Sequence, residues 1–202
     1  DLLLVLISGG GSSLLSLPDE GVSLDELRTL TGQLLRSGAA IGEINCVRKH
    51  LTRFSGGRVA ALSKAPVVAL IISDVVGDAP SDIASGPCAP DPDTYADARK
   101  ILDRYAVSVP ATIARRLHLG MAGNLPETLK PGSGCFTHVR NLVIASAKSM
   151  LMTAEVHLRT QGYTVFNLGE CEGEAQVLAQ RHAKLLGTLD SHRPLAILSG
   201  GE

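Results

Sequence analysis

Two segments of the chain, residues 2–7 and residues 66–73, are apolar without the alternation of a half-exposed strand. Unbroken runs of this length are typical of strands that are buried on both faces in parallel sheets. The first run breaks into a glycine turn that starts at Ser8, and the second continues directly into Asp74. The pattern therefore predicts two buried strands, each followed by residues that can take part in chemistry.

Two helices are predicted between the two apolar runs, from apolar residues that recur three and four positions apart. Residues 23–26 form a capping-box sequence, and leucines three and four residues apart predict a helix to about Gly38. A second helix follows, and we expect residues 56–57 (Gly-Gly) to end it. Its apolar face contains Ile44, Val47, Leu51 and Phe54, and its opposite face contains Asn45, Arg48, Lys49 and Thr52.

Strands and helices continue to alternate after an irregular segment at residues 74–93, which is rich in Asp, Pro, Gly and Ser. We predict helices over residues 94–105, 111–119, 147–161 and 173–186, a loop over 125–138, and strands over 139–146, 163–168 and 195–198. This order predicts an α/β fold with a mostly parallel sheet covered by helices on both faces. Ligands of such sheets bind at the carboxyl ends of the strands. The first glycine turn, Asp74 and a second Ser-Gly-Gly turn at residues 199–201 all follow strands, so the three could converge on one crevice.

The composition is that of an ordinary globular protein, with 202 residues, 45% hydrophobic, 19% charged, and a net charge of −1. It suffices for one large domain, and the balanced charge gives no support for nucleic-acid or membrane binding. The four cysteines are far apart, which argues against a zinc site and predicts reduced thiols in a cytoplasmic protein. The chain begins on a strand without a methionine and stops in a glycine turn, so we expect the middle piece of a longer protein.

The first glycine turn is a candidate anion site, because bare backbone amides can converge on a phosphate there. The alternative is a flexible turn between strand and helix. Leu14 stands where a dinucleotide fingerprint needs its third glycine, and no Walker motif is present, which argues against a standard NAD site and a P-loop kinase. The residues of this candidate site are Ser8, Gly9, Gly10, Gly11 and Ser12.

Two further groups of polar residues are candidates for chemistry. Asp74 and Asp78 could share a hydrated Mg²⁺, or one could accept a proton from a substrate hydroxyl; the alternative is that both cap local turns. Asn45, Arg48 and Lys49 share one helical face and suit a phosphate or carboxylate; the alternative is a solvated face. His50 is expected to be a packed or capping residue, and the segment that ends at Ser85-Gly86 is long enough to be functional.

Four blocks of the sequence together resemble one known family. They are LLLVLISGGGSSLL at residues 2–15, EINCVRKHLTRFSGGRVA at 43–60, LIISDVVGDAPSDIASGPCAPDPDTYADA at 70–98 and ILSGGE at 197–202. The blocks have the same order in both and span essentially the whole chain. They resemble the two-domain glycerate kinase family that carries a C-terminal MOFRL domain, whose members are also named hydroxypyruvate reductase.

The resemblance implies ATP-dependent phosphorylation of D-glycerate to 2-phosphoglycerate, with Mg²⁺ as the divalent cation. It implies that residues 1–202 form most of the N-terminal, Rossmann-like domain, truncated at both ends, with the MOFRL domain absent. The family's active site lies between the two domains, so the fragment should be inactive alone. Where many members have Gly-Ser-Asn, this chain has Ala145-Ser146-Ala147, and no site residue is placed there. A homo-oligomer is left open.

The leading hypothesis is therefore a metal-dependent small-molecule kinase. The glycine turn would hold an anionic group, with Arg48 and Lys49 neutralising phosphate or carboxylate charge. Catalysis is assigned to Lys49, Asp74 and Asp78, metal binding to Asp74 and Asp78, and phosphate or substrate binding to Ser8, Gly9, Gly10, Gly11, Ser12, Asn45, Arg48, Ser85 and Gly86. The alternatives are an NAD(P)H-dependent hydroxypyruvate reductase and a non-catalytic module that binds a nucleotide or a sugar acid.

Overall fold

The computed structural model describes residues 1–171, 173–189 and 194–200. The chain divides into two compact units. Unit 1 comprises Asp1–Ile71 and Ala79–Leu142, and unit 2 comprises Ile72–Asp78 and Val143–Glu202. Each unit is built from both strands and helices.

One or more helices separate each strand from the next along the described residues, as the sequence pattern predicts. Short 3₁₀ helices lie at Ile83–Ser85 and Gly134–His138. The regular elements are β1 (Leu3–Ile7), α1 (Gly11–Leu14), α2 (Leu24–Arg36), α3 (Ile41–Lys49), α4 (Arg58–Leu62), β2 (Val67–Ile72), α5 (Tyr95–Arg104), α6 (Ala111–Met121), β3 (Val139–Ala145), α7 (Ala147–Thr160), β4 (Thr164–Glu170), α8 (Ala175–Leu186) and β5 (Leu195–Gly200).

The described strands form two sheets, one with the order β1-β2-β3 and one with the order β4-β5. β1 and β2 are parallel, with Leu3 opposite Val67. β4 and β5 are also parallel, with Thr164 opposite Leu195. The predicted α/β class with mostly parallel strands is therefore confirmed.

The predicted burial of β1 on both faces is wrong for this chain. Ile7 is buried, but Leu4 is 52% exposed and Leu6 is 73% exposed. β1 lies at the edge of its sheet, beside β2 alone. In β2 the odd-numbered residues are buried and Ile72 is 52% exposed. An unbroken apolar run shows that both faces of a strand can be buried, but other elements decide whether both are.

Helices α2, α3, α5 and α6 supply the hydrophobic core of unit 1. The core side chains are spaced three and four residues apart along each helix, which places them on one face. Helix α3 contributes Ile44 and Val47, from the face that the sequence predicts to be apolar. Seven of the residues in this core are completely buried: Leu30, Leu34, Leu51, Tyr95, Ala98, Ile113 and Leu117.

Side-chain caps fix where the helices begin. The Ser23 hydroxyl accepts the Glu26 amide at 3.2 Å, and the Glu26 carboxylate accepts the Ser23 amide at 2.8 Å. Thr94 and Asp97 form the same reciprocal pair at the start of α5. Both caps satisfy amides that have no partner within the helix. The predicted beginnings of these two helices are therefore confirmed.

Helix α3 ends at Lys49, earlier than the predicted end at residues 56–57. After the helix the chain pairs with an earlier segment, because the Arg53 amide donates to the Leu17 carbonyl at 2.9 Å. The Nη1 of Arg58 donates to the carbonyl oxygens of Lys49 at 2.6 Å and Thr52 at 3.0 Å. These carbonyls would otherwise lack partners beyond the helix end. Burial lowers the pKa of Arg58, in agreement with its position inside unit 1. The predicted end of the helix is therefore wrong, and an arginine from the next helix binds carbonyls at and after its actual end.

In unit 2, α7 packs on β4 and β5. Ser146 begins α7 by accepting the Ser149 amide at 3.3 Å. Within the described ranges, none of the helices combines the length and the hydropathy that crossing a bilayer requires.

Candidate functional site

The glycine turn of unit 1 presents backbone amides to solvent. Gly10 has a φ of 72°, which favours glycine. The Gly11 amide donates to the Ser8 carbonyl at 3.2 Å, and the Ser13 amide donates to the Gly10 carbonyl at 2.9 Å. In the part of the chain that the structure describes, the amides of Gly9 and Gly10 donate to no backbone oxygen. These two amides are available to a ligand.

Arg48 of α3 holds the end of this turn. Its Nη1 donates to the Ser12 hydroxyl at 3.2 Å, and its Nη2 donates to the Ser12 carbonyl oxygen. Burial lowers the pKa of Arg48. The structure thus brings together two residues that the sequence assigns to the site, and it gives Arg48 a direct role in fixing the loop.

Asn45, one helical turn before Arg48 and Lys49, binds the segment that ends at Gly86. Its Oδ1 accepts the Ser85 hydroxyl at 2.9 Å, and its Nδ2 lies 3.5 Å from the Asp82 carbonyl oxygen. The predicted site residues Asn45 and Ser85 are therefore adjacent, and both are buried.

The backbone at residues 84–86 is left-handed. Ala84 and Ser85 have φ values of 52° and 53°, which are strained for residues with a Cβ. Gly86 has a φ of 51°, and a Cβ there would lie 2.6 Å from the Ser81 carbonyl oxygen. A Cβ at Gly11 would lie 3.3 Å from the Cβ of Ala84. The left-handed turn and the glycine turn are therefore in close contact.

Lys49 is 98% buried rather than open to an anion. Its Nζ lies 3.2 Å from Asp91 Oδ1, 3.6 Å from Asp82 Oδ1 and 3.8 Å from Asp93 Oδ2, and its side chain is only 2% exposed. Burial, and then the charge of Asp91, raise the pKa of Asp93. The solvated-face alternative for this side of α3 is therefore wrong, and in this structure the partners of Lys49 are carboxylates of the protein itself.

The three aspartates around Lys49 were not among the residues predicted for the site. They belong to the irregular segment at residues 74–93, and nothing local marks Asp82, Asp91 and Asp93 as partners of a lysine on α3. The sequence does contain one signal for this pairing, charge complementarity, because a basic helix face precedes an Asp-rich segment. That signal indicates a pairing but does not identify the partners.

Asp74 and Asp78 belong to unit 2. Asp74 lines a groove of about 830 Å³, within the usual range of small-molecule sites. Gly200, from the second Ser-Gly-Gly turn, lines the same groove, so these two expected site segments do meet; Gly201 and Glu202 lie outside the described residues. The other lining residues are Ile72, Ser73, Ala145, Ser146, Ala147, Ser149, Met150, Thr153, Ala154 and His157.

Asp78 is placed differently from Asp74. It has a φ of 56°, and its amide donates to the Val75 carbonyl at 3.1 Å, so it closes a local turn. Its Oδ1 is buried without a hydrogen-bond partner in the described structure. Among the residues that the structure describes, no three His, Cys, Asp or Glu side chains are grouped so that they could hold a metal ion.

His50 is a packed residue, as the sequence analysis expects. It is completely buried, with its ring centroid 4.7 Å from that of Tyr95. Its Nδ1 faces the Cys46 carbonyl oxygen at 2.8 Å, and its Nε2 faces the Glu127 carboxylate at 3.2 Å. Both ring nitrogens of His50 therefore already have partners inside unit 1, which agrees with a packed residue.

A family model described as a domain of unknown function (DUF4147) matches residues 1–118. This segment contains every residue that the sequence assigns to the site, from Ser8 to Gly86. The match covers more than half of the chain.

The chain is also similar in sequence to proteins with known names. A D-glycerate 2-kinase from Thermotoga maritima is 52% identical over 118 residues, which are 58% of this chain and 28% of the relative. A putative hydroxypyruvate reductase from Agrobacterium vitis is 42% identical over 209 residues, which cover 100% of this chain and 46% of the relative.

The fold of the chain is also similar to that of a solved glycerate kinase structure. The crystal structure of a glycerate kinase from Thermotoga maritima matches with a TM-score of 0.76 at 38% identity, over 100% of this chain and 48% of that chain. The chain thus spans about half or less of the length of these relatives. From the domain match and from these relatives, we conclude that the chain belongs to the glycerate kinase family that carries the DUF4147 domain.

Proposed function

We propose that the full-length protein that includes this sequence transfers a phosphoryl group from ATP to D-glycerate, giving 2-phosphoglycerate. The proposal is supported by the names of the relatives, which include a D-glycerate 2-kinase. The observation that carries it within this chain is the glycine turn, where Arg48 fixes Ser12 and the amides of Gly9 and Gly10 have no backbone acceptor among the described residues.

In this proposal the turn binds an anionic group of ATP or glycerate through the amides of Gly9 and Gly10. Backbone amides that are already oriented stabilise negative charge without reorganising during the reaction. Arg48 keeps the turn in place, and Asn45 and Ser85 supply polar groups next to it. Catalysis by such a site is mainly positioning and charge neutralisation, which suits phosphoryl transfer.

In the proposed reaction, Mg²⁺ binds together with the phosphates of ATP. Such a cation is usually bound by one or two carboxylates together with phosphate oxygens, rather than by a cage of protein groups. Asp74 fits this role because it is exposed at the edge of a groove, whereas Asp78 has one buried oxygen. Mg²⁺ bound with ATP neutralises phosphate charge, and Asp74 is the residue that would hold it.

A second candidate function is the reduction of hydroxypyruvate with NAD(P)H, because relatives from Agrobacterium vitis carry that name. Two observations favour the kinase. Helix α1 has only 4 residues, too short to carry the pyrophosphate of a dinucleotide in the usual way. His50 is buried and paired, so it is unsuited to protonating a carbonyl oxygen. A non-catalytic module that binds a nucleotide or a sugar acid is the third candidate.

The chain matches only part of its relatives, which bears on the domain that it represents. We propose that residues 1–202 correspond to most of the N-terminal domain of the relatives, with the MOFRL domain outside this sequence. The share of the solved relative that the chain covers, 48%, supports this assignment. The cytoplasmic location and a homo-oligomer stay predictions.

The test uses purified full-length protein in two assays. We expect phosphorylation of D-glycerate with Mg-ATP, and no oxidation of NADH or NADPH with hydroxypyruvate. Reduction of hydroxypyruvate without phosphorylation would establish the reductase. Binding of ATP or glycerate without turnover in either assay would establish the non-catalytic module.

A further inference from the structure

Lys49 and Asp91 form a buried ion pair beneath the proposed site. Their charged atoms are 3.2 Å apart, and their side chains are only 2% and 1% exposed. Two charges removed from water in this way are strongly dependent on each other, because either one alone would be an uncompensated buried charge. The pair therefore behaves as a unit.

The charge around Lys49 is not suited to binding an anion. One ammonium group faces the carboxylates of Asp82, Asp91 and Asp93. Three carboxyl groups surround the one ammonium, so Lys49 already has its partners and offers no open positive site to a phosphate. Only Asp82 and Asp93 reach solvent, with side chains that are 41% and 36% exposed. Lys49 can act on a ligand only through its carboxylate partners.

Those partners connect Lys49 to the left-handed turn at residues 84–86. Lys49 contacts the Asp82 side chain, while Asn45 reaches the Asp82 carbonyl oxygen at 3.5 Å and accepts the Ser85 hydroxyl at 2.9 Å. Asn45 and Lys49 are four residues apart on α3, hence on one helix face. This face of α3 therefore contacts Asp82, which precedes the left-handed turn, at both its side chain and its backbone carbonyl.

The left-handed turn needs such support. Ala84 and Ser85 both have positive φ values, and strained residues of this kind persist only where their surroundings determine them strongly. Ala84 also lies against Gly11, where an added Cβ would be 3.3 Å from the Ala84 Cβ. A shift of the left-handed turn would therefore displace the glycine turn.

We infer, on the basis of the kinase activity proposed above, that Lys49 and Asp91 are positioning residues that hold the left-handed turn against the glycine turn. Neither touches the substrate. Lys49 fixes Asp82, Asp91 holds Lys49 in place, and the turn that follows Asp82 sets the location of the Gly9 and Gly10 amides.

The decisive variant is Asp91→Asn in the full-length protein. If Lys49 bound phosphate or glycerate directly, removal of a competing carboxylate would strengthen binding and lower KM. If the pair positions the site, the same change loosens the turn, and we expect kcat to fall on the order of tenfold to a hundredfold, because small misplacements at a reacting centre have large effects. Lys49→Met should lower kcat to a similar extent, and the double variant should lose little more than either single variant.

Two controls separate positioning from a general loss of stability. Asp103→Asn removes an exposed carboxylate that pairs with Arg99 on α5, and it should leave kcat and KM unchanged. Leu30→Ala removes a completely buried apolar side chain of α2 that makes no ion pair, and it should lower Tm without lowering kcat per folded molecule. All assays are run at least ten degrees below the Tm of the least stable variant.

Hydrogen exchange gives a readout that does not depend on activity. In Asp91→Asn and in Lys49→Met, the amides of residues 8–16 and 82–89 should exchange faster than in the wild type, and in Asp103→Asn they should not. Unchanged exchange in both segments, or a lower KM in Asp91→Asn, would overturn the inference. If the wild type fails to phosphorylate glycerate while exchange responds as expected, the proposed function fails and the positioning role stands. If Lys49→Met does not fold, Asp91→Asn decides alone.

Discussion

Gly10 combines a left-handed backbone with open space, since a Cβ built there would meet no atom within 4 Å. A side chain at this position would therefore strain the backbone and face a ligand, but it would not clash with other protein atoms. Gly21 has the same combination, with a φ of 78° and nothing within 4 Å, but it lies outside the proposed site. The two glycines form a matched pair for separating backbone strain from ligand contact.

We predict that Gly10→Ala and Gly21→Ala lose similar stability, about 1–2 kcal/mol, because an L-residue with positive φ is strained. Only Gly10→Ala should also bind ATP or glycerate more weakly, about tenfold or more, since a hydrogen bond to a charged group contributes about 1.5–3 kcal/mol. Calorimetric titration of the full-length variants measures this difference. Equal affinities in both variants would show that the loop is only a turn.

Asp93 should give the stability of the protein a specific pH dependence. Burial, and then Asp91, raise its pKa above the ordinary value of 3.8, so the folded state binds this proton more tightly than the unfolded state. Its contribution to stability is complete below about pH 4 and is lost as the pH rises through the raised pKa. We predict that Asp93→Asn becomes more stable relative to the wild type as the pH rises from 4 to 7, in urea unfolding. A difference that does not change with pH would contradict this.

Helices α5 and α6 are in close contact where α6 has Gly120. A Cβ added at Gly120 would lie 2.3 Å from the ring of Tyr95, which is completely buried. The close approach therefore requires glycine here because of space, not because of φ. Gly32, inside α2, is a contrasting case, because its Cβ would meet only the flexible end of Arg36 at 3.3 Å.

We predict opposite effects for the same substitution in these two helices. Gly120→Ala should destabilise unit 1 by about 1–3 kcal/mol or more through overpacking against Tyr95. Gly32→Ala should stabilise the protein by about 0.5–1 kcal/mol, because alanine favours a helix interior over glycine. Urea unfolding monitored by circular dichroism measures both changes. A Gly120→Ala variant as stable as the wild type would show that the two helices can move apart at no cost.

At the scale of the whole molecule, the chain leaves a row of large apolar side chains open on β1. Leu4 and Leu6 are 52% and 73% exposed, on a strand that pairs with β2 alone in the described sheet. Exposed apolar edge strands promote association with other chains. The 202-residue chain by itself is therefore expected to self-associate.

We predict that Leu6→Lys reduces this self-association and changes stability by no more than about 0.5 kcal/mol, as is usual for surface substitutions. Ile7→Lys, one residue further along, should instead prevent folding, because Ile7 is only 9% exposed. Sedimentation of the chain at several concentrations measures the first effect, and circular dichroism measures the second. Equal self-association in the wild type and Leu6→Lys would place the contact elsewhere.

The sequence by itself determined the α/β class, the beginnings of α2 and α5, and the glycine turn after β1. These features rest on local signals, namely periodicity, capping residues and glycines, which act over a few residues. It also determined that Asn45, Arg48 and Lys49 share a helix face, because helical spacing alone requires it.

Only the tertiary structure decided what covers that face. Arg48 contacts Ser12 across 36 positions of sequence, and Lys49 contacts Asp91 across 42. It also decided that α3 ends at Lys49, whose carbonyl Arg58 binds, and that Leu4 and Leu6 of β1 stay exposed. Periodicity states which side chains point the same way, but the distant segment that meets them is chosen by the packing of the whole chain. For this reason a lysine that the sequence assigns to a ligand is found buried among three carboxylates.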